Sequence, residues 1–142
     1  MLKHLAVIAM IALLPASMYC ANQTTPKVTI PLTRTTPTSG QQMYSNYCTP
    51  CHGQDGKGQG PVASALKSQP SDLTTLARNN NGKFPATHVT AVLQNGVDIP
   101  AHGSAAMPVW GPILGKMDVT NPQDRDLRIS NLSHYLRTMQ EK

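Results

Sequence analysis

Cys48-Thr49-Pro50-Cys51-His52 constrains this chain more than any other stretch of it. Two thiols three positions apart, with an imidazole directly after the second, make C-x-x-C-H, the pattern that attaches c-type haem. The spacing follows from the chemistry. Each thiol can add to one haem vinyl group, and the adjacent imidazole then lies against the iron. One short segment thus supplies two covalent tethers, Cys48 and Cys51, and one iron ligand, His52.

Two other uses of C-x-x-C fit the chain poorly. A tetrahedral structural zinc site needs four Cys or His ligands, usually a second pair at matching spacing. The only other cysteine is Cys20, in or beside an N-terminal leader. A thioredoxin-like dithiol follows a strand in a βαβ pattern and needs no His after its second Cys. Here Tyr44-Ser45-Asn46-Tyr47 precedes the motif and Gly53-Gln54-Asp55-Gly56 follows it, with no apolar strand ahead.

The 142 residues have room for one domain. Lys3 followed by an apolar run over 5–14 and a Pro15-Ala16-Ser17 break reads as a secretory signal over 1–21, too short for a comfortable membrane span. A retained N-terminal anchor is the alternative, since no clean A-x-A site follows, and Cys20 raises lipidation as a third. Residues 22–38 are rich in Thr and Pro without periodicity and read as an extended linker. That leaves 39–142 as the domain. With one Phe and one Trp in the whole sequence, the domain is short of apolar mass, which a bound macrocycle would supply. The apo chain is therefore expected to fold poorly.

Twelve Lys and Arg stand against seven Asp and Glu, a formal net charge of +5. The basic residues are scattered, with no stripe of interleaved aromatics, which argues against nucleic acid as a partner. Lys57, Lys67, Lys83 and Lys116 are placed to steer an acidic redox partner, or simply form a solvated surface.

Ser39 and Gln42 fit a capping box, and the helix it starts runs through 41–47 into the haem motif. A Gly-rich loop follows over 53–61. It is not a nucleotide-binding loop, because Gly58 stands where Ser or Thr is needed after Gly56-Lys57. Short helices are predicted over 61–67 and 72–77, the second capped by Ser71. The pattern over 87–95 predicts a helix that Gly96 ends. Gly and Pro dominate 97–116, which predicts a long loop with no regular element. Asn121-Pro122 predicts an N-cap with Pro at the first helical position, before Ile129, Leu132, Tyr135, Leu136 and Met139 on one helix face. No run reads as a strand, so the class is all-α.

An electron-carrying haem iron takes a sixth ligand, and Met opposite His raises its potential. Met107, in the loop Ser104-Ala105-Ala106-Met107-Pro108-Val109-Trp110-Gly111, is the best-placed sulfur, with Pro108 restricting the backbone beside it. Met43, Met117 and Met139 lack that loop context. His102, five residues earlier, is the other candidate ligand, while His88 and His134 read as helix-surface residues.

These features together resemble a monohaem class I cytochrome c over 39–140. Cys48 to Gly53 matches the family's attachment motif. The run Asp55-Gly56-Lys57-Gly58-Gln59-Gly60-Pro61 resembles the stretch in which a proline carbonyl accepts a hydrogen bond from the ligand imidazole, which implies that role for Pro61. Met107-Pro108-Val109-Trp110-Gly111 is similar to the family's distal-ligand loop and implies Met107 on the iron and Trp110 at the haem. Gly40 and Tyr44, with Leu132, Tyr135 and Leu136, resemble its crossing of first and last helices.

The resemblance implies a small all-α cytochrome c fold, helices and long loops wrapped around one covalent haem c. It implies one-electron transfer with His52 and Met107 as axial ligands, in an exported, periplasmic protein that is free or membrane-anchored through its N-terminus. The partners are then a redox donor and acceptor, as a free carrier or as a relay subunit of a respiratory or dehydrogenase complex. No small-molecule substrate and no turnover of its own are needed. The alternative is a haem peroxidase or a gas or redox sensor with a vacatable sixth position.

Overall fold

The computed structural model describes residues 31–96, 107–117, 121 and 123–141. The leader, Cys20, most of the linker, His102 and Pro122 lie outside the described residues. Regular structure among the described residues is helical, with no strand, in the all-α class that the sequence predicts.

The chain enters through α1 (Gly40–Met43), where Ser39 Oγ accepts from the Gln42 N–H at 3.2 Å, half of the capping box. The helix then widens into a π-helical stretch, Tyr44–Cys48, and resumes as α2 (Thr49–His52). Pro50 accounts for the widening. It has no N–H, and its ring conflicts with the carbonyl four residues back. The Thr49 N–H accordingly reaches Tyr44 O, five residues back. The Cys and His side chains therefore project from a re-phased helix, an adjustment common at functional sites.

The loop over 53–62 folds back on α2 and satisfies its terminal carbonyls. Gly58 N–H donates to His52 O at 2.8 Å, Gly60 N–H to Cys51 O at 3.0 Å and Val62 N–H to Pro50 O at 3.0 Å. A Cβ at Gly60 would stand 2.4 Å from Pro50 O, so only glycine permits this return.

Of the two short helices predicted next, the first shrinks to a single 3-10 turn, Ala63–Ala65, and the second does not form. Asp72 explains the latter. Its Oδ1 accepts from both the N–H and the hydroxyl of Thr74, at 2.8 and 2.6 Å, and this local bonding replaces a helical ladder. A 3-10 turn, Arg78–Asn80, follows instead.

α3 (Ala86–Asn95) ends as expected at Gly96, whose φ is +77° and whose N–H caps Val92 O at 2.9 Å. α4 (Trp110–Gly115) corrects the expectation of an irregular 97–116. Pro112 lies in its first turn, where a missing N–H breaks no helical bond. α5 (Asp124–Thr138) starts after Asn121, which is not its N-cap. Asn121 Oδ1 accepts from Gln123 N–H at 3.2 Å, and its amide donates to Asp124 Oδ1 at 2.9 Å, bracing the entry from outside.

α5 packs against α1, α3 and α4, and the core lies along these contacts: Met43, Tyr44, Tyr47, Val89, Leu93, Trp110, Leu114, Ile129, Leu132 and Leu136. At the α1–α5 crossing a Cβ on Gly40 would meet Asn131 O at 2.1 Å, so the backbones touch there. Tyr44 packs on Tyr135 beside it, ring centroids 5.4 Å apart.

The segment over 33–37, assigned from sequence to the linker, lies against the domain. Thr35 is buried and accepts from Arg128 and Tyr47, Pro37 O accepts from Asn131 Nδ2, and Thr36 N–H donates to Gln42 Oε1.

Candidate haem site

The end of the π-helical stretch presents Cys48, and α2 presents Cys51 and His52, to one side of a cleft with about 1030 Å³ of space between its atoms, its open mouth included. The walls are mostly apolar. Leu66, Leu73 and Leu76 come from the loops, Val89, Val92 and Leu93 from α3, and Leu136 from α5, with Tyr47 and Trp110 also facing it. Met107 and Pro108 complete the lining, and Met107 is half-buried against the core.

The imidazole of His52 is buried and oriented. Its Nδ1 lies 3.0 Å from Ser71 O. A carbonyl only accepts, so Nδ1 carries the proton and Nε2 keeps its lone pair for the cleft. Burial pushes the His52 pKa down, against a smaller upward pull from the Ser71 bond, and the neutral form is the one that binds metal. This corrects the expectation for Pro61. Val62 and Gly60 are tied back onto Pro50 and Cys51, which turns Pro61 outward into solvent, and the proline does not line the cleft. The acceptor comes instead from the next loop, steadied by Gln69 Nε2, which donates to Gly58 O.

Burial also governs the two thiols. Cys48 is pushed up to about 12, first by desolvation and then by the neighbouring Cys51. Cys51, half-buried, is raised by desolvation. Both are free thiols, neutral at ordinary pH.

Trp110 is 3% exposed and stacks on Tyr47, centroids 5.5 Å apart and planes 27° from parallel. The Tyr47 hydroxyl is anchored on Thr33 O, Thr35 Oγ1 and Met117 Sδ, which fixes the pair as a rigid wall. Of the other candidates, Met43 is fully buried at the α1 end and Met117 bonds Tyr47, so neither sulfur lines the cleft. His88, read from sequence as a surface residue, is exposed and also borders the cleft. Lys57 pairs with Glu141 at 3.1 Å.

The donor set fits haem c: two thiols, an imidazole with a free Nε2 and a thioether, around an apolar slot. Ser71 escaped the sequence reading because its role is a backbone carbonyl delivered nineteen residues after His52, and no side-chain pattern marks such a contact. The same holds for Tyr47, whose wall position depends on the π-helical phase.

The model of a family described as cytochrome C oxidase, cbb3-type, subunit III, one of c-type cytochrome domains, matches residues 35–121, more than half of the chain. No curated protein matches it.

Proposed function

The chain belongs to the cytochrome C oxidase, cbb3-type, subunit III family, and on that footing we propose that it carries single electrons through one covalent haem c with His52 and Met107 as axial ligands. A c-type cytochrome domain implies haem-based electron transfer. Bound haem supplies the one-electron couple.

The protein's own residues define how that couple is held. Cys48 and Cys51 tether the macrocycle, so it is not lost when a partner binds. Ser71 O orients His52 and increases the basicity of Nε2. A thioether opposite a histidine favours the reduced iron and raises the potential. Trp110, Leu93, Val89 and Leu136 keep water from the slot, and a low dielectric disfavours the more highly charged oxidised state.

Among the described residues lining the cleft there is no Lys, Arg, Asp or Glu, and such apolar walls suit a relay. We assign it an exported location, reached through the leader over 1–21, and redox proteins as donor and acceptor. The family's description names an oxidase subunit, which favours a relay within a membrane complex of that kind over a free carrier.

One observation carries this reading: the attachment helix and Met107 line the same apolar cleft. The ferric holoprotein is expected to show the weak near-infrared band of Met-ligated haem. Met107→Ala should abolish the band and lower the potential while the haem stays with the polypeptide in acid-acetone. A wild-type ferric spectrum lacking the band, or an unchanged potential in Met107→Ala, sinks the ligand assignment.

A further inference from the structure

Arg128, in α5, is 3% exposed, which is rare for an arginine without a charged partner. Its Nη1 donates to Thr35 O at 2.7 Å and to Thr35 Oγ1 at 2.9 Å, both neutral acceptors. Its Nε has no hydrogen-bond partner among the described residues. The ion pairs among the described residues are Lys57–Glu141, Arg78–Glu141 and Arg125–Asp126, and none involves Arg128. A guanidinium does not neutralise itself by losing a proton, so this is a full charge held in the interior. Interior charges are costly unless something compensates them.

The charge lies one side chain behind the cleft wall. Thr35 Oγ1, which accepts from Arg128, also accepts from the Tyr47 hydroxyl at 3.0 Å, and a hydroxyl oxygen has two lone pairs for this. The ring of Tyr47 lines the cleft and stacks on Trp110, which lines it too. Haem brings two carboxylates with it, yet no Lys or Arg occurs among the described residues lining the cleft.

We infer that Arg128 is a positioning residue for the redox couple: a fixed cation behind the Tyr47–Trp110 wall that offsets the cofactor's carboxylates and favours reduced over oxidised iron. The inference rests on the haem reading above. The sign follows from Coulomb's law, since a nearby positive charge raises the energy of the more positive oxidation state. Across a protein interior of effective dielectric about 20, a unit charge at separations near 10 Å changes an equilibrium on the order of tenfold.

Spectroelectrochemical titration of the full-chain holoprotein tests this in wild type, Arg128→Gln, Arg128→Lys and Thr35→Val, each checked for covalent haem by acid-acetone extraction. At a fixed poise, Arg128→Gln should lower the reduced-to-oxidised ratio on the order of tenfold. Arg128→Lys should restore it. Thr35→Val, which keeps the charge and removes the hydroxyl link, should lower the melting temperature and leave the ratio near wild type. An unchanged ratio in Arg128→Gln overturns the inference, as do equal falls in the Gln and Lys variants or a fall in Thr35→Val matching that of Arg128→Gln. If the Gln variant yields no holoprotein, Arg128→Met, uncharged and of similar reach, decides: a fall on the order of tenfold supports the charge, and a wild-type ratio overturns it. A wild type without covalent haem overturns the haem reading itself, whereas a wild type that titrates reversibly leaves that reading intact whichever way Arg128 falls.

Discussion

Tyr44 shows how a single side chain ties the helix to the haem loop. Its hydroxyl donates to Gly53 O at 2.7 Å, directly after the attachment motif, and both groups are buried. Tyr44→Phe leaves that carbonyl without its donor, so the holoprotein should lose about 1–3 kcal/mol in urea unfolding. Burial, with smaller contributions from Cys48, Tyr135 and Asp55, holds the phenol well above its ordinary 10. The folded-state value exceeds the unfolded one, so Tyr44 stabilises fully below pH 10, and that contribution is lost as the pH climbs above 10. Far-UV circular dichroism across an alkaline titration should therefore show a steeper loss in wild type than in Tyr44→Phe. At this scale the sequence is most transparent where the chemistry is local. Covalent attachment requires two thiols and an imidazole at fixed spacing, so Cys48, Cys51 and His52 declare themselves. The imidazole's acceptor does not, because Pro61 and Ser71 differ only in how a glycine loop folds back, and the bonds from Gly60 and Val62 decide that in favour of Ser71.

Among the elements, the α1–α5 crossing depends on one missing methyl group. Alanine is the better helix former at position 40 by about 1 kcal/mol. Its Cβ would nevertheless stand 2.1 Å from Asn131 O and 2.8 Å from Tyr135 Cβ, so the helices must separate. The clash outweighs the propensity, and Gly40→Ala is expected to cost more than about 3 kcal/mol in denaturant unfolding of the holoprotein. A stability equal to or above wild type would show that the crossing tolerates the side chain. The strap over 33–37 gives a second expectation. A chain beginning at Ser39 loses acceptors for Tyr47, Arg128 and Asn131, each worth about 1 kcal/mol once water replaces them. It should melt below a chain beginning at Thr33, with both measured as holoproteins. Long helices were legible because their apolar spacing and stop signals are repeated several times, as in α3 with Gly96. Short ones were not. α4 hides in a Gly- and Pro-rich run because it needs only one tolerated proline in its first turn, and 72–77 fails because Asp72 captures Thr74. The strap was illegible for a related reason: its Thr and Pro composition is that of a linker, and only the distant Arg128 and Tyr47 convert it into packed structure.

For the whole molecule, the cleft determines whether the fold can exist without its cofactor. Leu93, Val89, Trp110 and Leu136 are buried core residues that also face the slot, so the core and the site share one set of side chains. Emptying a large apolar slot removes packing from all of them at once, and cavity costs rise with volume. Elsewhere the domain has little with which to compensate. One Phe and one Trp serve the entire chain, and both members of every ion pair among the described residues are more than a third exposed, where each pair contributes about 0–1 kcal/mol. The double substitution Cys48→Ala, Cys51→Ala removes both tethers and leaves only the proposed iron ligands, His52 and Met107, to retain haem. This variant is expected to keep much of its far-UV helix signal in the extracted protein while losing near-UV structure and gaining dye binding, the behaviour of a chain whose specific packing has gone. The single substitution at Met107 separates the two contributions of the cofactor, because it removes an iron ligand and leaves the covalent macrocycle filling the slot. Its near-UV spectrum should stay close to wild type. A cooperative thermal transition in the double variant at the wild-type midpoint would mean that the helices alone fold the domain, and that the haem is carried by the structure without being part of its core.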